Sequence, residues 1–143
     1  MRILIIKLSS LGDIVNTLPA LAVIRKQYPD AEIDWLVSST YKNFVETHPY
    51  LNNVIAWDRS MWQKKRYTTA VKEVFALVKQ LRGRSYDRVY DFQNQLRSGV
   101  FAWLSKSPVR VGCAHGTEHN SGFYTEKVAL HSNSTLHFLE QNL

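Results

Sequence analysis

The hydrophobic positions of this chain form short apolar runs that alternate with segments of helical spacing. The runs with strand character are 2–7, 32–37, 53–57, 86–92 and 109–113. The segments with helical character are 19–29, 41–47, 68–83, 94–105 and 134–143. Alternation of this kind predicts βαβ units and a mainly parallel sheet. We therefore expect an α/β fold with a Rossmann-like parallel sheet and helices on both of its faces.

Local signals set the expected boundaries of these elements. Pro19 suits the first turn of a helix, so residues 9–13 are expected to form a turn that precedes it. A threonine cap and Gly83 are expected to bound the helix at 68–83. Residues 114–126 are expected to be loop.

The composition indicates one globular domain from a reducing compartment. The 143 residues suffice for a single core, and a hydrophobic fraction of 45% is ordinary for such a domain. No apolar run approaches the roughly 18 residues of a membrane span, and the amino terminus lacks the pattern of a signal peptide. The single cysteine, Cys113, rules out an internal disulfide. These features favour a cytoplasmic location.

The net charge of +6 is concentrated in one part of the sequence. From Arg59 to Arg84, eight lysine and arginine residues stand against one acid, Glu73, so this segment carries +7 and the remainder is about neutral. Such an excess indicates an anionic partner, such as a phosphorylated lipid, a membrane surface or nucleic acid. The alternative is a solvated helix face without a partner.

The segment KLSSLGDIVNTLPAL, residues 7–21, follows the first predicted strand, at the edge where α/β sheets bind ligands. It contains neither G-x-G-x-x-G nor a P-loop, because Gly12 is its only glycine. Asp13 would repel a pyrophosphate, but its carboxylate can accept a proton from a substrate hydroxyl. In the first turn of a helix, the macrodipole would favour the ionised form that a base needs. Ser9, Ser10 and the backbone at Gly12 are candidates to position the substrate, while the alternative is that Asp13 only caps the helix.

Several stretches of the chain resemble a known family. The run S-S-L-G-D followed by T-L-P-A-L, within MRILIIKLSSLGDIVNTLPAL, is similar to the amino terminus of the lipopolysaccharide heptosyltransferases of glycosyltransferase family 9. The similarity continues through PDAEIDWLVSSTYKNFVETHPYLNNVIAWD, the basic segment and YDRVYDFQNQLRSGVFAWLS, and so covers nearly the whole chain. The resemblance implies that residues 1–143 are the amino-terminal, acceptor-binding domain of a GT-B fold, in which the active site lies between two Rossmann-like domains.

The resemblance also implies a chemical role for the first loop. Members of the family carry out a metal-independent, inverting transfer of heptose from the co-substrate ADP-heptose to the Kdo sugars of the lipid A inner core, without another cofactor. The aspartate of S-S-x-G-D, which is the family's general base, falls on Asp13. The resemblance places the carboxy-terminal donor domain outside these 143 residues. We therefore expect the chain to need that domain, or a partner chain, for turnover.

A basic stretch that faces the acceptor in the family matches Arg59, Lys64, Lys65 and Arg66. Kdo carboxylates and lipid A phosphates are anionic, and arginine and lysine are their natural partners. The same charges would also permit peripheral contact with an anionic membrane surface.

The end of the fourth predicted strand matches a further family motif. The family has D-x-Q-G there, followed by a basic residue and a serine, so Gln93 and Arg97 are expected to contact the acceptor. Asn94 stands where glycine is usual. The turn can still form, because asparagine tolerates a positive φ.

The sequence leaves other interpretations open. One is a non-catalytic module that binds an anionic glycolipid or another polyanion through residues 59–84. Nucleic-acid binding fits the charge but has no recognisable motif here, so it is not expected. The sequence HGTEH at 115–119 matches a zinc-peptidase pattern, but its glycines predict a loop instead of the required helix, and we expect no metal. His137 lies near a histidine position of the family; the alternative is a half-buried helix residue.

Overall fold

The computed structural model describes residues 1–114 and 120–129. Within these ranges the strands are β1 Arg2–Ile6, β2 Glu32–Ser38, β3 Asn53–Trp57, β4 Arg88–Asp91, β5 Val109–Cys113 and β6 Glu126–Val128. The α-helices of the same ranges are α1 Leu11–Gln27, α2 Lys42–Val45, α3 Ser60–Gln63, α4 Tyr67–Arg84 and α5 Leu96–Leu104. Short 3₁₀ turns occupy Ser39–Tyr41 and Asn120–Phe123.

The strands form one sheet in the order β3-β2-β1-β4-β5-β6. Every neighbouring pair is parallel. The chain builds outward from β1 to β3 and then returns to the other side of β1 for β4. The carboxyl ends of β1 and β4 therefore flank a topological switch point, where sheets of this kind bind their ligands. The predicted α/β fold with a parallel sheet is confirmed.

Helices cover both faces of the sheet, as expected. On one face, α1 and α2 bury Ile14, Leu21, Ile24 and Val45 against alternate residues of the strands. On the other face, α4 and α5 bury Leu77, Leu81, Phe101 and Ala102. Strand β1 lies between the two layers, so its residues from Ile3 to Ile6 have no exposed surface. Burial on both faces explains why the first apolar run is continuous and not alternating.

Helix α1 begins earlier than the sequence predicted. It starts at Leu11 with Ser10 as its N-cap, so the expected turn at 9–13 and helix start near 19 were wrong. Pro19 lies inside the helix and lacks the N–H that would pair with the carbonyl of Val15. Because Pro19 and Val15 are both exposed, water can bind that carbonyl, and the helix continues.

The boundaries of α4 also differ from the expected ones. Arg66 is its N-cap in place of a threonine, and the helix continues through Gly83. Ser85 ends it with a φ of 52°, in the left-handed conformation that glycine usually adopts at this position.

The segment 114–126, expected to be loop, contains a 3₁₀ turn and the beginning of β6 in its described part. Strand β6 has only three residues and is defined by its pairing with β5, so it leaves little local signal in the sequence. The predicted helix at 134–143 lies outside the described residues.

Candidate functional site

Asp13 lies in the first turn of α1, at the carboxyl end of the central strand β1. Its side chain is exposed, and its Oδ2 atom accepts hydrogen bonds from the Ser10 backbone N–H at 3.3 Å and from the Ser10 hydroxyl at 3.0 Å. Ser10 and Asp13 thus form a capping box, in which the N-cap and the third helical residue satisfy each other. The alternative that Asp13 caps the helix is therefore partly right: Ser10 is the N-cap, and Asp13 is its partner in the capping box.

The surroundings of Asp13 keep its carboxylate ionised. The backbone N–H of Ser10 holds the pKa of Asp13 below its usual value. Burial opposes this shift, while the charge of Lys7 and the Ser10 hydroxyl reinforce it. Lys7 is itself buried, and its Nζ donates a hydrogen bond to the Phe92 carbonyl at 3.1 Å. Burial lowers the pKa of Lys7, whereas the charges of Asp13 and Asp91 oppose this shift. Sequence reasoning missed Lys7, although a lysine at the end of a central apolar strand is a usable signal.

Gln93 fixes the loop that leads to Asp13. Its Oε1 atom accepts hydrogen bonds from the backbone N–H groups of Leu8, at 2.9 Å, and Ser9, at 3.2 Å. The side chain is 9% exposed and spans the switch point between the loops after β1 and β4. Gln93 was expected to contact the acceptor. In the structure its Oε1 atom already accepts hydrogen bonds from the backbone of Leu8 and Ser9.

The turn after β4 is held by the buried carboxylate of Asp91. Its Oδ1 atom accepts hydrogen bonds from the backbone N–H groups of Gln93 and Asn94, at 2.9 and 3.3 Å, and its Oδ2 atom accepts one from the Tyr124 hydroxyl at 2.6 Å. Burial raises the pKa of Asp91, while these donors oppose the shift. Asn94 has a φ of 58°, which confirms that asparagine forms the turn at the position where the family usually has glycine.

A polar cavity of about 220 Å³ opens at the carboxyl edge of β1, β2 and β3. Three of the sequence-predicted residues line it, namely Ser9, Arg59 and Arg97. Sequence reasoning missed several other residues of its lining: Ser38, Thr40, Tyr41, Trp57, Asp58 and Gln63. These residues lie at the ends of β2 and β3 or just after them, and only the parallel pairing of the strands brings them to one edge.

An apolar groove of about 460 Å³ adjoins this cavity and shares Trp57, Arg59 and Arg97 with it. Its remaining lining is aliphatic and aromatic: Val74, Leu96, Val100 and Phe101. The Arg97 guanidinium lies 5.7 Å from the centre of the Trp57 ring, in cation–π geometry. Two arginines therefore stand where the polar cavity meets the groove.

The rest of the basic segment is more dispersed than the sequence suggested. Lys64, Lys65 and Arg66 are exposed between α3 and α4 and line neither the cavity nor the groove. Arg84 lies 3.2 Å from the buried carboxylate of Asp34, so its charge stabilises the fold and not a partner.

The remaining candidates are only partly within the described residues. In residues 1–114 and 120–129, no group of three histidine, cysteine or acidic side chains could hold a metal ion. The HGTEH motif at 115–119 and His137 lie outside those ranges. No helix within the described part of the chain is long and apolar enough to cross a membrane.

Known proteins resemble the chain in both sequence and structure. Residues 74–143 match the family described as glycosyltransferase family 9 (heptosyltransferase). Lipopolysaccharide heptosyltransferase 1 of Escherichia coli K12 is 30% identical over 133 residues, which are 92% of this chain and 39% of the relative. The Pseudomonas aeruginosa PAO1 enzyme of the same name is 36% identical over 117 residues, which are 74% of this chain and 29% of the relative.

A solved structure extends the likeness to the fold. The structure of E. coli heptosyltransferase WaaC with ADP-2-deoxy-2-fluoro heptose has a TM-score of 0.83 and 29% identity, over 99% of this chain and 45% of that one. The chain therefore spans less than half the length of the relatives it matches. Its parallel sheet is that of the Rossmann-like domains in GT-B glycosyltransferases. The chain thus resembles the amino-terminal part of lipopolysaccharide heptosyltransferase 1 in sequence and in fold, and its residues 74–143 match glycosyltransferase family 9.

Proposed function

We propose that this chain forms the acceptor-binding part of an inverting heptosyltransferase in which Asp13 is the general base. The observation that carries the proposal is the exposed Asp13 carboxylate at the switch point of the sheet, kept ionised by Ser10. A base must be unprotonated and reachable by substrate, and Asp13 meets both conditions. The family resemblance supports the type of reaction.

The proposed reaction is a direct displacement at the anomeric carbon of ADP-heptose. Asp13 accepts the proton of an acceptor hydroxyl while that oxygen forms the new glycosidic bond. The bond between the anomeric carbon and the ADP phosphate oxygen breaks, and ADP leaves with its electron pair. Because attack comes from the face opposite the leaving group, the configuration inverts and no covalent enzyme intermediate forms.

The acceptor in this proposal is the Kdo region of lipid A, bound beside Ser9 in the polar cavity. Arg59 and Arg97 line that cavity and supply two cations that suit Kdo carboxylates. Lys64, Lys65 and Arg66 are exposed farther along the segment, where they would meet phosphates of the same acceptor. Gln93 positions the loop, and in our proposal it does not contact the acceptor.

The donor site belongs, in this proposal, to a part of the enzyme that residues 1–143 do not supply. A relative was solved with ADP-2-deoxy-2-fluoro heptose, and this chain covers 45% of it. We assign residues 1–143 to the acceptor domain and expect a donor domain, or a partner chain, to bind the nucleotide sugar. The leaving pyrophosphate would then be stabilised outside this chain.

The decisive test is Asp13→Asn in a complete enzyme, made by joining this chain to the donor part of a family member. Loss of a general base should lower kcat by roughly 10²–10⁴-fold, with little change in acceptor affinity. Asp30→Asn, which alters an exposed acid in the turn after α1, is the matched control and should leave kcat unchanged. A wild-type kcat in Asp13→Asn would remove Asp13 as the base.

A non-catalytic module that binds an anionic glycolipid is the second candidate, favoured by the exposed cations at Lys64, Lys65 and Arg66. Titration calorimetry of this chain with deacylated Kdo₂-lipid A, and separately with ADP-heptose, addresses both candidates. The proposed function predicts acceptor binding without donor binding. Replacing the three cations by alanine should weaken that binding and reduce its dependence on salt. Acceptor binding combined with an inactive chimera would favour the module.

A further inference from the structure

The polar cavity at the carboxyl edge of the sheet contains a carboxylate that the chemistry at Asp13 does not use. Asp58 lines this cavity together with Arg59 and Arg97. It directly follows β3, whereas Asp13 lies in α1. A cavity that had only to bind an anion would gain nothing from a negative charge, because like charges repel. The position of Asp58 therefore indicates that the ligand presents a hydrogen-bond donor at this point.

The Asp58 side chain is held in place by the turn between β3 and α3. Its Oδ1 atom accepts a hydrogen bond from the backbone N–H of Ser60 at 2.7 Å. This N–H, and after it the Ser60 hydroxyl, hold the pKa of Asp58 below its usual value. Burial opposes the shift, and the charge of Lys64 reinforces it. The cavity therefore contains an ionised and oriented carboxylate at neutral pH.

Much of the capacity of Asp58 to accept hydrogen bonds is left for a ligand. An ionised carboxylate offers about four acceptor positions on its two oxygens, and within residues 1–114 and 120–129 its hydrogen-bond partner is Ser60. No lysine or arginine of the same ranges forms an ion pair with Asp58, although two arginines line the same cavity. The side chain is half-buried, so it is accessible from the cavity.

The lining of the cavity indicates the chemical class of its ligand. Arg59 and Arg97 suit a carboxylate or another anionic group, whereas Asp58 suits an O–H donor. The volume of about 220 Å³ is below the roughly 300–1,000 Å³ of pockets for drug-sized ligands, so a single sugar ring is a suitable occupant. An acidic sugar with free hydroxyl groups meets all three conditions. A phosphate in place of one of those hydroxyls would bring a second anion to Asp58.

We propose that Asp58 is a specificity-determining residue, whose carboxylate accepts hydrogen bonds from hydroxyl groups of an acidic sugar and excludes a sugar phosphorylated at that position. The inference rests on the proposed function in one respect, namely that the cavity is the acceptor site. Arg59 and Arg97 bind the carboxylate of the sugar, and Asp58 fixes the orientation of its ring. The proton of the reacting hydroxyl still passes to Asp13.

The test is an NMR titration of the 143-residue chain with the methyl glycoside of Kdo and, separately, with each of its monophosphate esters. We expect the wild type to bind at least one ester roughly tenfold more weakly than the glycoside, although the esters carry more charge for the arginines. Asp58→Asn keeps an oxygen that can accept the Ser60 N–H but removes the charge. It should weaken glycoside binding about fivefold and bring the affinity ratio for that ester close to one.

Asp30→Asn is the matched control, because it makes the same chemical change at an exposed acid in the turn after α1. It should keep the wild-type ratio. Asp58→Ala separates recognition from a purely structural role, since alanine cannot accept the Ser60 N–H. If Asp58 served only the turn, Asp58→Ala would weaken the glycoside and the esters equally, and Asp58→Asn would bind both as the wild type does.

Any of three results would overturn the inference. The wild type could bind every ester as tightly as the glycoside, Asp58→Asn could keep the wild-type ratio, or the wild type could fail to bind the glycoside at all. The inference and the proposed base can fail separately. A chimera that stays active with Asp13→Asn would remove the base and leave the Asp58 ratio standing. An unselective wild type combined with an inactive Asp13→Asn chimera would refute the role of Asp58 alone.

Discussion

Replacing Gln93 by alanine should destabilise the chain and loosen the loop that carries Asp13. The substitution removes one buried oxygen that accepts two backbone hydrogen bonds, from Leu8 at 2.9 Å and from Ser9 at 3.2 Å. A buried donor left without a partner costs about 1–3 kcal/mol. The full cost applies at Leu8, which is 1% exposed, while Ser9 is half-buried and can recruit water. We therefore expect the free energy of unfolding to fall by about 2–4 kcal/mol once the lost packing is included.

Urea unfolding, followed by tryptophan fluorescence and circular dichroism, measures this difference. Gln27→Ala makes the same chemical change at an exposed position at the end of α1 and should alter stability by less than about 0.5 kcal/mol. Hydrogen exchange provides a local readout, because the Leu8 amide should lose protection in Gln93→Ala ahead of the β1 amides. If Gln93→Ala unfolds at the wild-type urea concentration, or if its Leu8 amide stays fully protected, the role we assign to this side chain is wrong.

Three further substitutions probe the loop and the fold. Gly12→Ala should leave the fold intact, or stabilise it by about 0.5–1 kcal/mol, because an added Cβ meets nothing within 4 Å. A fall in the chimera's kcat/KM would show that the acceptor approaches this backbone, and an unchanged kcat/KM would exclude such contact. Ser10→Ala removes a hydroxyl that lowers the pKa of Asp13, so the acid limb of the pH–rate profile of the chimera should move to higher pH. If that limb does not move, it reports the titration of a group other than Asp13. The Ser10–Asp13 interaction stabilises the folded chain fully above the ordinary aspartate pKa, and this stability is lost as pH falls through the lowered pKa of Asp13 in the folded state. Ser10→Ala should therefore lower the free energy of unfolding least in strong acid. Ser85→Gly should raise the free energy of unfolding by roughly 0.5–2 kcal/mol, because Ser85 has a φ of 52°; thermal unfolding checks this, and a lower midpoint would contradict it.

The strands could be predicted closely because their signal is local. Runs of apolar residues mark β1 to β5 to within one or two residues of the observed bounds. Strand β6 could not be found this way, since three residues owe their conformation to pairing with β5. The start of α1 was missed because Pro19 was given more weight than the Ser10–Asp13 pair, which is itself a helix-start signal.

The sequence predicted the candidate site only where its residues lie close together along the chain. The sequence raised the first helical turn only as a condition under which Asp13 would be ionised, and the structure places Asp13 in that turn with a lowered pKa. The role of Gln93 depends on a hydrogen bond between residues 85 positions apart in sequence. The joining of Arg59 and Arg97 at one cavity likewise depends on strand order. Such contacts are properties of the topology, and no local pattern encodes them.

The strand order also determines when the loop can become ordered during synthesis. β1 obtains its second neighbour only when β4 has been made, and the Leu8 amide obtains its acceptor only with Gln93. At about 5–20 residues per second, a ribosome needs on the order of 4–17 s to add the intervening residues. Throughout that interval one edge of β1, whose residues from Ile3 to Ile6 are fully buried in the folded chain, is unpaired, which is a condition that promotes aggregation. A nascent chain halted before β4 should therefore bind chaperones, and release from them should coincide with the emergence of the segment that contains Gln93.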